Sequence, residues 1–143
     1  MLVKKITFED YMDGHSRTEE FCFHVSESEL SMLNYEIEGG LENYFNQIIN
    51  AENNYEVVKL FKKLIDISYG VRSLDGKHFR KSEAALEDFK STDAYNKLFM
   101  ELATNDEEAV RFIKGILPSK MAAEINEKEL NKPKSLADVN INA

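Results

Sequence analysis

The sequence predicts a mainly α, α+β domain: an N-terminal β-hairpin packed on a compact set of about five to seven short helices. Three observations carry this reading. Apolar residues alternate at every second position in two early runs that flank an Asp-Gly turn. From residue 26 onward they recur at helical spacing, in short stretches separated by glycines, asparagines and capping residues. Only two Pro and six Gly occur in 143 residues, which argues against a loop-dominated fold.

In the first run Leu2, Ile6 and Phe8 share one face. In the second, Phe21, Phe23 and Val25 alternate with Glu20, Cys22 and His24. Asp13-Gly14 lies between them, and glycine tolerates the positive φ that such turns require. A lone hairpin is marginal in water, so its Phe-rich face must pack on helices.

Ser26-Glu27-Ser28-Glu29 is a capping box, with Val25 and Leu30 at the positions of a hydrophobic staple. The helix it opens breaks at Gly39-Gly40. Leu41, Tyr44, Phe45, Ile48 and Ile49 then follow at helical spacing, up to a second break at Asn53-Asn54. The longest helix runs on to Tyr69, with Val57, Phe61, Leu64, Ile65 and Ser68 on one side and Glu56, Lys59, Lys63 and Asp66 on the other; Gly70 ends it. Val71 to Lys81 reads as a loop or small hairpin around Asp75-Gly76, anchored by Phe79. Ser82 starts a helix carrying Leu86 and Phe89, and Thr92 starts another with the stripe Tyr95, Leu98, Phe99, Leu102. Thr104 with Glu107 forms a further capping box ahead of Val110, Phe112, Ile113 and Ile116, and Gly115 and Pro118 are stop signals. Residues 1–118 are therefore expected to form one globular domain, hairpin 2–25 and helical part 26–118, with 119–143 a weakly helical to disordered tail.

Composition sets the class. An apolar content of 43% with nine Phe and six Tyr is globular. The single Cys22 leaves no internal disulfide and suits a reducing cytosol, and no apolar run approaches the ~20 residues that cross a bilayer. The opening MLVKKITFEDY, two lysines followed by acids, does not read as a signal peptide. Net charge is −8 and unevenly placed: ten acids and one base, Arg17, lie between Glu9 and Glu42, whereas Arg72, Lys77, Arg80 and Lys81 form a basic island. Nucleic acid and anionic membranes both favour a positive field, so neither is expected as the main partner. The island and the acidic third are complementary, which makes Arg72, Lys77, Arg80 and Lys81 candidates for self-association into a homo-oligomer.

No constellation in the chain can perform a reaction. Cys22 and His24 are spaced as two metal ligands could be, but a structural zinc site needs four. Gly70 to Lys77 departs from the phosphate-binding pattern in spacing, in His78 and in the preceding helix. The carboxylates lie on polar faces without a pocket that would gather them. The expectation is a protein without enzymatic activity, cofactor or metal. Phe112, Ile113 and Ile116, with Tyr95, Leu98 and Phe99, supply more apolar surface than two short helices need. Phe112, Ile113 and Ile116 are accordingly read as partner contacts, and Phe99 as core.

The blocks GGLENYFNQIINAE, LFKKLIDISYG, DGKHFRKSE, TDAYNKLFMELATN and AVRFIKGILP, in this order, resemble the tail assembly chaperone family of long-tailed, siphovirus-type bacteriophages. The resemblance covers most of the chain up to Pro118. It implies a non-enzymatic assembly factor that binds the tape measure protein, keeps it soluble and brings tail tube protein to it in the cytoplasm of the infected host. Such factors are absent from the mature virion, and many share their N-terminal domain with a longer, frameshifted form. Two other readings stay open: a small acidic regulatory or anti-defence protein, and a structural tail or connector subunit.

Overall fold

The computed structural model describes residues 1–50 and 55–118. The expected break at Asn53-Asn54, the side chains of Ile48, Ile49 and Val57, and the tail from 119 lie outside the described residues. Among those described, four strands and six helices follow in the order β1 (Leu2–Glu9), β2 (Ser16–Phe23), α1 (Glu27–Glu36), α2 (Gly40–Ile49), α3 (Tyr55–Ser68), β3 (Tyr69–Arg72), β4 (Phe79–Arg80), α4 (Glu83–Lys90), α5 (Asp93–Thr104) and α6 (Asp106–Ile116). The α+β class holds.

The sheet is larger than a hairpin. Its order is β1-β2-β3-β4, antiparallel throughout, with Leu2 opposite Phe23 and Glu9 opposite Ser16 in the first pair. β3 adds to β2 through Cys22–Gly70 and Phe23–Tyr69, and Val71 to Lys81 contains the small hairpin partner β4. The long helix therefore stops at Ser68 rather than Tyr69, and Gly70 is a strand residue, not a helix stop. Its lack of a side chain serves packing: a Cβ there would lie 2.6 Å from the ring of Phe79.

One face of the sheet carries Leu2, Ile6, Phe8, Phe21, Phe23 and Tyr69, and the helices cover it. The other face stays open, as antiparallel sheets allow, with Val3 exposed and the Thr7 and Thr18 hydroxyls paired at 2.8 Å. Aromatic rings link the sheet to the helices. Phe89 stacks on Tyr69 with centroids 4.4 Å apart, and Phe112 meets Phe23 at 5.3 Å and Phe61 at 6.3 Å. Lys4, on the covered face, reaches Glu101 of α5 at 2.7 Å and Glu108 of α6 at 3.8 Å. The end of the second strand is tied to two helix ends, since the amides of His24 and Val25 donate to the carbonyls of Ser68 and Ile116.

The local signals act with different fidelity. The Ser26–Glu29 capping box is present in both directions, and Val25 and Leu30 are buried beside it. Gly14, Gly39 and Gly40 all have positive φ, as the turn and the helix break require. Ser82 caps α4 by accepting from the Ala85 amide. Thr92 precedes α5, but its hydroxyl donates to the Phe89 carbonyl instead of capping. The capping box expected at Thr104 and Glu107 is displaced by one residue: Asn105 caps α6 by accepting from the Glu108 amide, while Thr104 donates to Met100. Gly115 lies inside α6, where a Cβ would sit 2.9 Å from Leu2, so it marks close helix–sheet packing rather than a stop.

Candidate partner-binding surfaces

The aromatic and aliphatic residues expected to meet a partner sit inside the molecule. Phe112, Ile113 and Ile116 are 2%, 3% and 0% exposed. Their reading as contact residues is corrected: α6 packs against α5, α2 and β1, so its single apolar stripe is enclosed. Phe99, expected in the core, is partly buried and packs against the core at its edge. Leu98 and Leu102 on the same helix are buried, and Tyr95 donates from its hydroxyl to Asp66 at 2.9 Å. Burial and that carboxylate together push the Tyr95 phenol up to about 12.

Two concave surfaces stand out among the described residues. The larger, of about 940 Å³, opens between the α1–α2 junction and α3. Ile37 and Tyr44, both buried, and half-buried Leu60 supply its apolar lining. Glu36 and Glu38 stand on the junction side, and Lys59, Lys62 and Lys63 on α3. Glu36 and Lys63 form an ion pair at 2.5 Å, and Lys62 pairs with Asp66 at 2.9 Å. The junction is held by Asn34, whose side-chain oxygen accepts from the Leu41 amide at 2.9 Å. The Tyr44 hydroxyl is buried without a hydrogen-bond partner among the described residues, and burial drives its pKa upward. Met32 and Tyr35 are exposed on α1, and Tyr55 on α3.

The second groove, of about 490 Å³, lies at the turn end of the hairpin. The rings of Phe8, Phe21, Tyr69 and Phe89 line it, and Glu9, Asp10, Glu19, Asp88 and Asp93 bring five carboxylates against one base, Arg17. Asp10 is engaged by Arg17 at 2.7 Å, and the Met12 amide together with that guanidinium holds its carboxyl below the usual range. Asp93 accepts from the Glu9 amide at 3.0 Å and from Asn96 at 3.1 Å, and the amide bond in particular lowers its pKa.

Of the basic candidates, Arg72, Lys77 and Arg80 are exposed and form no ion pair among the described residues. Lys81 differs. Its ammonium binds Glu29 at 2.6 Å within the same chain. Burial works to raise the Glu29 pKa, but Lys81 and Ser26 outweigh it and the carboxyl is held low. The sequence also gave no sign of Leu74, wholly exposed at the loop tip, or of Tyr35 and Met12. Single apolar residues in polar surroundings have no periodicity to reveal them.

Cys22 is half-buried, and the Nδ1 of His24 is buried without a partner among the described residues. No group of three or more His, Cys, Asp or Glu that could hold a metal ion occurs among the described residues. No helix among them is long and apolar enough to cross a membrane. The family model that matches the chain is described as phage tail assembly chaperone and covers residues 1–142. No curated protein and no solved structure matches it significantly.

Proposed function

From the premise that the chain belongs to the phage tail assembly chaperone family, we propose that it binds the tape measure protein, keeps it soluble and helps recruit tail tube subunits during tail morphogenesis. The family's role is assembly rather than catalysis, and the chain acts through contact alone, without cofactor or metal. It works in the cytoplasm of the infected host, is left out of the finished tail, and operates alongside a longer frameshifted form that shares its N-terminal domain.

The observation that carries the reading is the extent of the family match, residues 1–142 of 143. The groove between the α1–α2 junction and α3 supports it. An apolar lining with Glu36 and Glu38 on one side and Lys59, Lys62, Lys63 and Asp66 on the other suits an amphipathic helix laid into the cleft, its apolar stripe inward and its charges on the rim. A long, helix-rich client with exposed stripes is insoluble for the same reason that it fits such a groove.

Affinity capture of a tagged tape measure protein from cells making both proteins tests this. The chain is expected to co-purify without added nucleotide or metal. Reversing Lys59 and Lys63 to Glu should weaken capture while circular dichroism stays unchanged, because both side chains are exposed. Mass spectrometry of purified virions separates the structural-subunit reading: the chain should be missing from particles, and an abundant copy in them would overturn the assembly-factor role.

A further inference from the structure

The β3–β4 loop is a preformed protrusion. Ser73 and His78 close it through backbone and side chain: the Ser73 amide donates to the His78 carbonyl at 2.8 Å, and the His78 amide donates to Ser73 Oγ at 3.0 Å. Inside it, Asp75 accepts from Ser73 Oγ at 2.5 Å and from the Lys77 amide at 3.0 Å, and Gly76 takes the positive φ. This scaffold holds Leu74 wholly in solvent. Arg72, Lys77 and Arg80 flank it, exposed and without ion pairs among the described residues. A loop already ordered in its presented shape loses little freedom on binding, which favours it as an anchor.

The groove at the turn end of the hairpin has the complementary chemistry. Its floor is lined by the rings of Phe8, Phe21, Tyr69 and Phe89. Two of its five carboxylates are engaged, Asp10 by Arg17 and Asp93 by the Glu9 amide. Glu9, Glu19 and Asp88 are left without an ion pair among the described residues, against the loop's three unpaired cations. Met12, at the groove edge, is almost fully exposed and would be covered by an incoming chain.

We propose that the Leu74 loop of one copy docks in this acidic, aromatic-lined groove of a second copy of the chain. Leu74 enters among the rings, and Arg72, Lys77 and Arg80 meet Glu9, Glu19 and Asp88. Lys81, held by Glu29 in its own chain, takes no part. Loop and groove are different patches, so the contact is either exchanged reciprocally in a two-fold dimer or repeated head to tail. It needs no client and does not depend on the tape measure reading.

Analytical ultracentrifugation of the purified full chain tests it. The wild type should associate with rising concentration and dissociate as salt is raised, because the pairs are exposed and screened. Leu74→Asp should weaken association by about tenfold or more, as for an interface anchor. Lys81→Ala should leave it unchanged. The decisive arm mixes two variants that should each fail alone: Arg72→Glu/Arg80→Glu in the loop, and Glu19→Lys/Asp88→Lys in the groove. Their mixture restores two loop–groove pairings, one of native sign and one with the charges exchanged, so hetero-association should return. The substituted loop and groove residues are exposed, Lys81 is partly covered by its pair with Glu29, and circular dichroism checks that each variant folds. A monomer at every concentration in low salt, an oligomer indifferent to Leu74→Asp, or a mixture that stays dissociated would each overturn the proposal.

Discussion

Phe112 shows how far a single residue can be misplaced by pattern alone. Its helical stripe was legible in the sequence; which neighbours enclose that stripe was not, because enclosure depends on long-range topology. Its ring touches Phe23 on the sheet and Phe61 on α3, so truncation opens a cavity at the centre of the core. Phe112→Ala should cost about 3–5 kcal/mol in urea unfolding, and Phe99→Ala, at the partly buried edge, clearly less. Equal costs would contradict this difference in burial. His24 makes a second residue-scale prediction. Desolvation first, then the N-terminal amine and Lys81, lower its pKa below the ordinary 6.5, with Glu29 opposing. The unfolded chain therefore binds a proton more readily than the folded one below pH 6.5. Stability should fall as pH drops from about 6.5 toward 5, before most carboxylates titrate. His24→Gln should flatten that window, since His15 and His78 are exposed; a slope unchanged by the substitution would place its origin elsewhere.

Elements were legible where their signals are local. The Ser26 capping box, the Asp13-Gly14 turn and the Gly39-Gly40 break all act within a few residues, and each stands where the sequence puts it. Signals with two meanings failed. Gly70 and Gly115 read as helix stops, yet each makes room for a side chain distant in sequence, Phe79 and Leu2 respectively. The α6 cap failed for a subtler reason: Thr104 and Asn105 are both capping residues, and the Thr104 hydroxyl turns back to the Met100 carbonyl. Asn105→Ala should therefore destabilise the protein by about 1 kcal/mol, whereas Glu107→Ala should be nearly neutral. Thermal unfolding of the two variants checks this, and the reverse order would restore the Thr104 box. The extra strands β3 and β4 were visible as a small hairpin, but their addition to β2 was not. Strand pairing across a gap of about 46 residues, as between Phe23 and Tyr69, leaves no periodic trace.

At the scale of the whole molecule, the charge asymmetry is partly internal. Arg17–Asp10, Lys81–Glu29 and Lys63–Glu36 each bind an acid of the N-terminal third within the chain. What remains outside those pairs, together with Leu74 and the two grooves, is the surface through which an assembly factor can act. Neither groove was legible beforehand, because each gathers side chains from at least two separate parts of the chain. The central claim is that this chain is a chaperone for a tape measure protein. The most direct test is the soluble fraction of the tape measure protein of the same phage, expressed with and without the chain and fractionated by centrifugation. The client is expected to move from the pellet into the supernatant as a complex with the wild-type chain, and to return to the pellet with the Lys59→Glu/Lys63→Glu variant. A client that stays in the pellet, unbound, beside abundant folded wild-type chain would contradict it.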